Sequence, residues 1–181
     1  MDTILFSSDL HGSWPALKLL IVKATKIQAK ALLIAGDLCP PDNPAFFLTY
    51  SNSEIPIILV RGNCDSAYDF DLAHIPLPPV TRKINFAMRT IVMTHGDRFP
   101  SPYGLELKRM DIFISGHTHT PKLVEDSQGI ICVNPGSPTY PRTALGPTYG
   151  IIDETGISIR DFNNDTPIPN LQYYFMPRMV Q

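Results

Sequence analysis

The chain has 181 residues and a formal net charge of −2, with 44% hydrophobic and 18% charged residues. That length carries one sizeable core rather than two, and that composition excludes disorder and a fibrous fold. The slight acidity argues against a domain that coats nucleic acid non-specifically.

Residues 3–7 form a short apolar strand, and no basic segment precedes it, so no secretory leader is expected and a cytoplasmic placement is. Ser13 is a helix cap with Pro15 in the first turn. Trp14, Leu17, Leu20, Ile21, Ala24 and Ile27 follow as one apolar face. Lys23, Lys26 and Lys30 lie on another face and read as a solvated surface. Residues 31–35 are a second strand, 43–50 a short helix and 57–61 a third buried strand. This βαβαβ order predicts parallel strands with right-handed crossovers.

Residues 66–79 are Pro-rich and irregular, with His74 as unassigned surface. A strand over 89–93, a short helix over 104–109 and a strand over 111–115 come next. Segments 121–125, 130–133, 149–153 and 157–161 then read as antiparallel strands. The last stretch is polar at first and then carries Tyr173-Tyr174-Phe175-Met176, a cluster expected to pack on the body or on a second subunit. The longest apolar runs, 55–60 and 31–35, are too short to span a bilayer. Three cysteines, Cys39, Cys64 and Cys132, lack CxxC spacing and read as reduced thiols.

Five polar boxes each follow a predicted strand: Asp9-Leu10-His11, Gly36-Asp37, Gly62-Asn63-Cys64-Asp65, Thr94-His95-Gly96 and Gly116-His117-Thr118-His119. In an open α/β sheet, ligands bind beyond the carboxyl ends of the strands. Four of the five histidines fall in these boxes. Any one box is more often a turn or a satisfied polar residue; their combination at strand ends points to one site. Imidazole, carboxylate and amide donors together suit Mn²⁺, Fe, Zn²⁺, Co²⁺ or Ni²⁺ better than Ca²⁺ or Mg²⁺. Seven such donors exceed the needs of one tetrahedral ion and match a pair of ions sharing a carboxylate.

The boxes D-x-H, GD, GN, H and GHxH resemble those of the calcineurin-like metallophosphoesterases. Gly62-Asn63-Cys64-Asp65 and Asn134-Pro135-Gly136-Ser137 are similar to the YfcE-type phosphodiesterase branch, and the resemblance runs from Met1 to Asp161. It implies a four-layer αββα sandwich, with a single metallophosphoesterase domain over 1–162 and a tail over 163–181. It implies that Asp9, His11, Asp37 and His119 hold one ion. Asp37, Asn63, His95 and His117 then hold the second, with Asp37 bridging. The ions are two divalent transition metals, manganese first. The expected activity is hydrolysis of a small phosphodiester by a hydroxide bridging the ions, with Asp37 and Asn63 as the catalytic positions. Ions, carboxylates and hydroxide leave the site at roughly +1, which draws in a phosphate without a broad basic surface.

Two positions depart from many relatives. Cys64 stands where His often follows the Asn, so general-acid help of about 10²–10⁴-fold is expected to be weak. Cys64 reads as a packing residue beside the metals rather than a covalent nucleophile. Asp97 stands where another His often follows His-Gly. The alternative is a protein-binding scaffold of the same fold, like a retromer subunit with a degraded metal site; here every ligand position is filled. Neither an extended nucleic-acid surface nor a membrane contact is expected, and a homo-oligomer is an open partner. Loops at 39–44, 66–79 and 99–103 are expected to shape the pocket.

Overall fold

Strand β1 (Thr3–Ser7) pairs in parallel with β2 (Ala31–Ile34), which pairs in parallel with β3 (Ile57–Leu59). The crossovers are helices, as the alternating pattern requires. Helix α1 (Trp14–Lys26) starts where the Ser13 side chain accepts the Ala16 N–H at 3.3 Å, and α2 (Pro44–Ser51) where Asn43 accepts the Ala45 N–H at 2.9 Å. The computed structural model describes residues 2–175. Among these, a third helix, α3 (Ala67–Leu72), lies in the stretch expected to be irregular.

The remaining strands are β4 (Thr81–Phe86), β5 (Arg89–Thr94), β6 (Ile112–Ile114), β7 (Lys122–Glu125), β8 (Ile131–Asn134), β9 (Thr148–Asp153), β10 (Gly156–Asp161) and β11 (Pro167–Tyr174). They complete two sheets. One has six strands in the order β11-β10-β9-β1-β2-β3, the other five in the order β4-β5-β6-β8-β7. Parallel pairing of β5, β6 and β8 continues in the second sheet, while β7, β9, β10 and β11 pair antiparallel.

Alternation along the strands divides the core in two. Phe6, Leu33, Ile91, Ile114, Val133 and Ile159 belong to one apolar cluster that draws on both sheets. Leu5, Leu32 and Ile34 point the other way and pack with Leu17, Leu20, Phe46 and Phe70 of the helices. The fold is thus mixed α/β with two sheets and few helices.

Several expectations need correction. Residues 104–109 are not helical: Glu106 has φ of 55° and Met110 of 71°, left-handed values that an α-helix does not admit. The crossover between parallel β5 and β6 is therefore irregular chain. Lys23 is buried at 7% exposure, not solvated. It pairs with Asp165, and its ammonium lies over the rings of Tyr149 and Phe162 at 5.4 and 5.5 Å. Lys30 pairs with Asp2. Within the stretch after residue 162, β11 pairs with β10, Ile168 and Phe175 are buried in the shared cluster, and the Tyr173 hydroxyl donates to Glu125 at 2.7 Å. Met176 lies outside the described residues. No helix of the described residues is long and apolar enough to cross a membrane.

Candidate metal centre

The carboxyl ends of β1, β2, β3, β5 and β6 carry the five boxes, so strand direction alone collects them. Five of the seven expected ligands have left-handed backbones: Asp9, His11, Asp37, His117 and His119, with φ between 45° and 67°. Such conformations are costly for residues other than glycine and persist where the surroundings enforce them. Two glycines are required by closeness instead. A Cβ on Gly62 would lie 2.1 Å from Asp37 Oδ1, and one on Gly116 would lie 2.7 Å from Asp9 Oδ2.

The side chains converge. His119 Nε2 lies 3.2 Å from Asp9 Oδ1 and 3.3 Å from His11 Nε2. His11 Nε2 is 3.9 Å from Asp37 Oδ2. His95 Nε2 is 3.4 Å from Asp37 Oδ2, 3.9 Å from Asp9 Oδ1 and 3.1 Å from Asn63 Oδ1. Asp9, His11 and His119 form one group of mutually close donor atoms, and Asp9, Asp37 and His95 another. His117 is in neither group. Its ring meets that of His95 edge-on at 5.1 Å, and its N–H donates to Asp9 Oδ2 at 3.0 Å. Asp9, Asp37, His95 and His119 are buried, whereas Asn63 and His117 are exposed, so the centre opens to solvent on that side.

The donor chemistry fits a cation. His119 Nδ1 faces the Tyr140 carbonyl at 2.8 Å, and His95 Nδ1 faces the Ala35 carbonyl at 2.8 Å. A carbonyl only accepts, so each Nδ1 carries a proton and each Nε2 is the atom turned inward, free to ligate a cation when it carries none. The Nε2 of His119 confronts Asp9 Oδ1 at 3.2 Å. That oxygen is buried with no hydrogen-bond partner. A buried oxygen without a hydrogen-bond partner, facing imidazole nitrogens, is a position that a metal ion fits.

Without a cation the centre shares charge internally. Burial pulls the His95 imidazole down, but its bonds to Asp37 and Ala35 and the nearby carboxylates win, and it is pushed up to about 9. Burial pulls Asp37 up, and His95 and the Cys64 N–H more than offset this, leaving it at about 2. Burial raises Asp9 above the usual carboxylate range.

Asp65, Asn134 and Ser137 stand in motifs of the sequence, but what they bond does not show there. Asp65 is 2% exposed, and its carboxylate accepts the N–H groups of Gly62 at 2.7 Å, Cys39 at 2.8 Å and Asp37 at 3.0 Å. It ties the loop after β3 to the loop after β2. Asn134 donates to the Gly116 carbonyl at 2.7 Å, and Ser137 donates to the Asp9 carbonyl at 2.8 Å. The Asn-Pro-Gly-Ser stretch is thereby a clamp on the ligand loops. Cys64 is exposed rather than packed; its N–H donates to Asp37 Oδ1 at 2.9 Å, and partial desolvation of the thiol with Asp37 beside it pushes it up to about 11. Asp97 faces Arg98 at 3.7 Å. His74 is exposed against Phe47, away from the centre.

Two sheets, few helices and a donor cluster at the strand ends define a phosphoesterase architecture, and the chain belongs to the calcineurin-like phosphoesterase superfamily, whose domain profile matches residues 1–156. Within it, the chain is 30% identical over 179 residues to the phosphodiesterase YfcE of Escherichia coli strain K12, covering 93% of this chain and 96% of that one. A solved structure of YfcE, a phosphoesterase from E. coli, superposes with a TM-score of 0.79 at 28% identity, over 95% of this chain and 98% of that one. Vacuolar Protein Sorting 29 from Cryptosporidium parvum shares the fold, with a TM-score of 0.66 at 20% identity over 96% and 98% of the two chains.

Proposed function

We propose that this protein is a metal-dependent phosphodiesterase that cleaves small phosphodiesters. Asp9, His11, Asp37 and His119 would hold one divalent ion and Asp37, Asn63, His95 and His117 the other, manganese being the first candidate. The observation that carries this reading is the buried, unpartnered Asp9 Oδ1 held 3.2 Å from the inward-facing nitrogen of His119. The vacuolar sorting protein is 20% identical, so that likeness supports a shared fold only. Similarity to YfcE supports a diester as the substrate class.

When bound, the ion pair supplies a hydroxide nucleophile and neutralises phosphate charge. The chain's own residues do the rest. Ala35 and Tyr140 fix the tautomers of His95 and His119, so the donor set needs no reorganisation. The backbone N–H of Cys64 and Asp65 acting on the Asp37 N–H hold Asp37 at the centre of the donor set. Exposed Asn63 brings its amide to the open side, where a substrate enters. No activated protein nucleophile is needed, and the Cys64 thiol is both neutral at working pH and a poor proton donor.

Purified protein should contain close to two transition-metal ions per chain by elemental analysis, and hydrolyse a chromogenic diester until chelator removes them. Metal-free protein with full activity in excess chelator would overturn the proposal.

A further inference from the structure

A cleft of about 510 Å³ opens beside the donor cluster, lined by His11, His119, Tyr140, Pro141 and Arg142. One wall comes from the loop over 137–142, and that loop is tied to the metal-centre residues themselves. Ser137 and Thr139 both donate to the Asp9 carbonyl, at 2.8 and 2.9 Å. The Tyr140 carbonyl accepts from His119 at 2.8 Å, and the Arg142 N–H donates to the His119 carbonyl at 3.2 Å. Tyr140 and Arg142 therefore keep a fixed relation to Asp9 and His119.

Both side chains have capacity that folding does not use. The Tyr140 ring meets His11 at 5.3 Å and 82°, yet the residue is 59% exposed. The Arg142 guanidinium makes no hydrogen bond or ion pair among the described residues. A planar cation and an aromatic ring, carried on a loop whose backbone is tied to the proposed metal centre, match one substrate chemistry. A guanidinium fork fits two anionic oxygens on one phosphorus. An aromatic face fits a planar ring.

Resting on the phosphodiesterase reading, we propose that Tyr140 and Arg142 form the subsite for the retained arm of the substrate. Arg142 takes a non-bridging phosphoryl oxygen, and Tyr140 stacks a planar aromatic arm, an aryl group or a nucleobase. An alkyl arm would leave the Tyr140 face unused, so the subsite sets specificity as well as affinity.

The test keeps the leaving group constant and varies the retained arm. Manganese-loaded protein is assayed on bis(p-nitrophenyl) phosphate, a thymidine p-nitrophenyl diester and ethyl p-nitrophenyl phosphate. Wild type should favour an aromatic arm over ethyl by about tenfold in kcat/KM, the size expected of one stacking contact. Tyr140→Ala should abolish that preference and Tyr140→Phe should keep it. Arg142→Ala should raise KM on all three by about tenfold or more, with Arg142→Lys recovering part. Metal content should be unchanged in all four variants. Preference for the thymidine or the bis-aryl diester then identifies the arm. A retained arm preference in Tyr140→Ala, or an unchanged KM in Arg142→Ala, would overturn the subsite while leaving the phosphodiesterase reading intact. Failure of wild type on every diester would overturn that reading instead. Calorimetric titration with diphenylphosphinate and dimethylphosphinate, which cannot be hydrolysed, still decides the subsite. Weaker diphenylphosphinate binding in Arg142→Ala is expected, and equal binding would refute it.

Discussion

Replacing Asp65 should unfasten the centre before any metal is bound. Its carboxylate accepts three backbone N–H groups, of which those of Asp37 and Gly62 are buried and that of Cys39 is partly so. Asp65→Ala leaves the two buried donors without partners, at about 1–3 kcal/mol each, or about 2–6 kcal/mol together. Burial raises the Asp65 carboxyl against the pull of those donors, so truncation also relieves desolvation of a buried charge. A net loss of about 2–4 kcal/mol is therefore expected, toward the low end of the donor sum. The assay is urea denaturation of metal-free protein in chelator, where lost metal binding cannot contribute. Asp65→Asn keeps one acceptor oxygen but turns an amide N–H toward a backbone N–H, and should lose an intermediate amount. Wild-type unfolding free energy for metal-free Asp65→Ala, with wild-type metal uptake, would refute the reasoning.

Deleting the chain after Asn164 removes β11 and its buried Ile168 and Phe175, so the melting temperature should fall by several degrees, read by calorimetry; no change would mean that β11 contributes nothing to the fold. Partial burial raises the Asp165 carboxyl, but Lys23 and Tyr149 outweigh this and hold it below its ordinary value. A carboxyl lowered by folding stabilises above its unfolded pKa, and that contribution is lost as pH falls through the folded pKa. Asp165→Asn should therefore lose stability at neutral pH and show a shallower acid unfolding curve than wild type, measured by denaturation across pH 2–7. The Cys64 thiol, pushed up to about 11, gives little proton to an alkoxide leaving group. Wild type should prefer aryl diesters to alkyl monoesters in kcat/KM, and Cys64→His should narrow the gap; equal rates on wild type would mean another donor.

Much of this architecture is legible in the sequence because the site lies where short apolar runs end. Box after box marks a strand terminus, so βαβαβ order and donor convergence follow from the same residues. The omissions have local causes. The helix Ala67–Leu72 announces itself through Ser66, whose hydroxyl accepts the Asp69 N–H at 3.0 Å and donates to the Asp69 carboxylate at 2.6 Å, but the nearby prolines masked that signal. Strand Thr81–Phe86 carries adjacent charges and turns into β5 through Ala87 and Met88 at φ of 46° and 65°, with no Gly or Asn to mark the hairpin. Strand Pro167–Tyr174 contains two prolines, which only an edge strand accommodates, and β11 is at the edge of its sheet. Lys23 was unreadable for another reason: its partner Asp165 is 142 residues away. Asp65, Asn134 and Ser137 act through backbone groups of distant loops, and sequence carries no trace of which loops those are.

Metal stoichiometry and diester turnover, measured together on wild type, Asp9→Asn and Asp37→Asn, test the central claim most directly. Asp37 Oδ2 faces one ligand of each proposed ion, His11 at 3.9 Å and His95 at 3.4 Å. A carboxylate shared by two ions should therefore matter more than one serving a single ion. Wild type should hold about two ions, Asp9→Asn should retain the larger share of metal and turnover, and Asp37→Asn should lose most of both. Asp37→Asn with wild-type turnover and metal content would contradict the account.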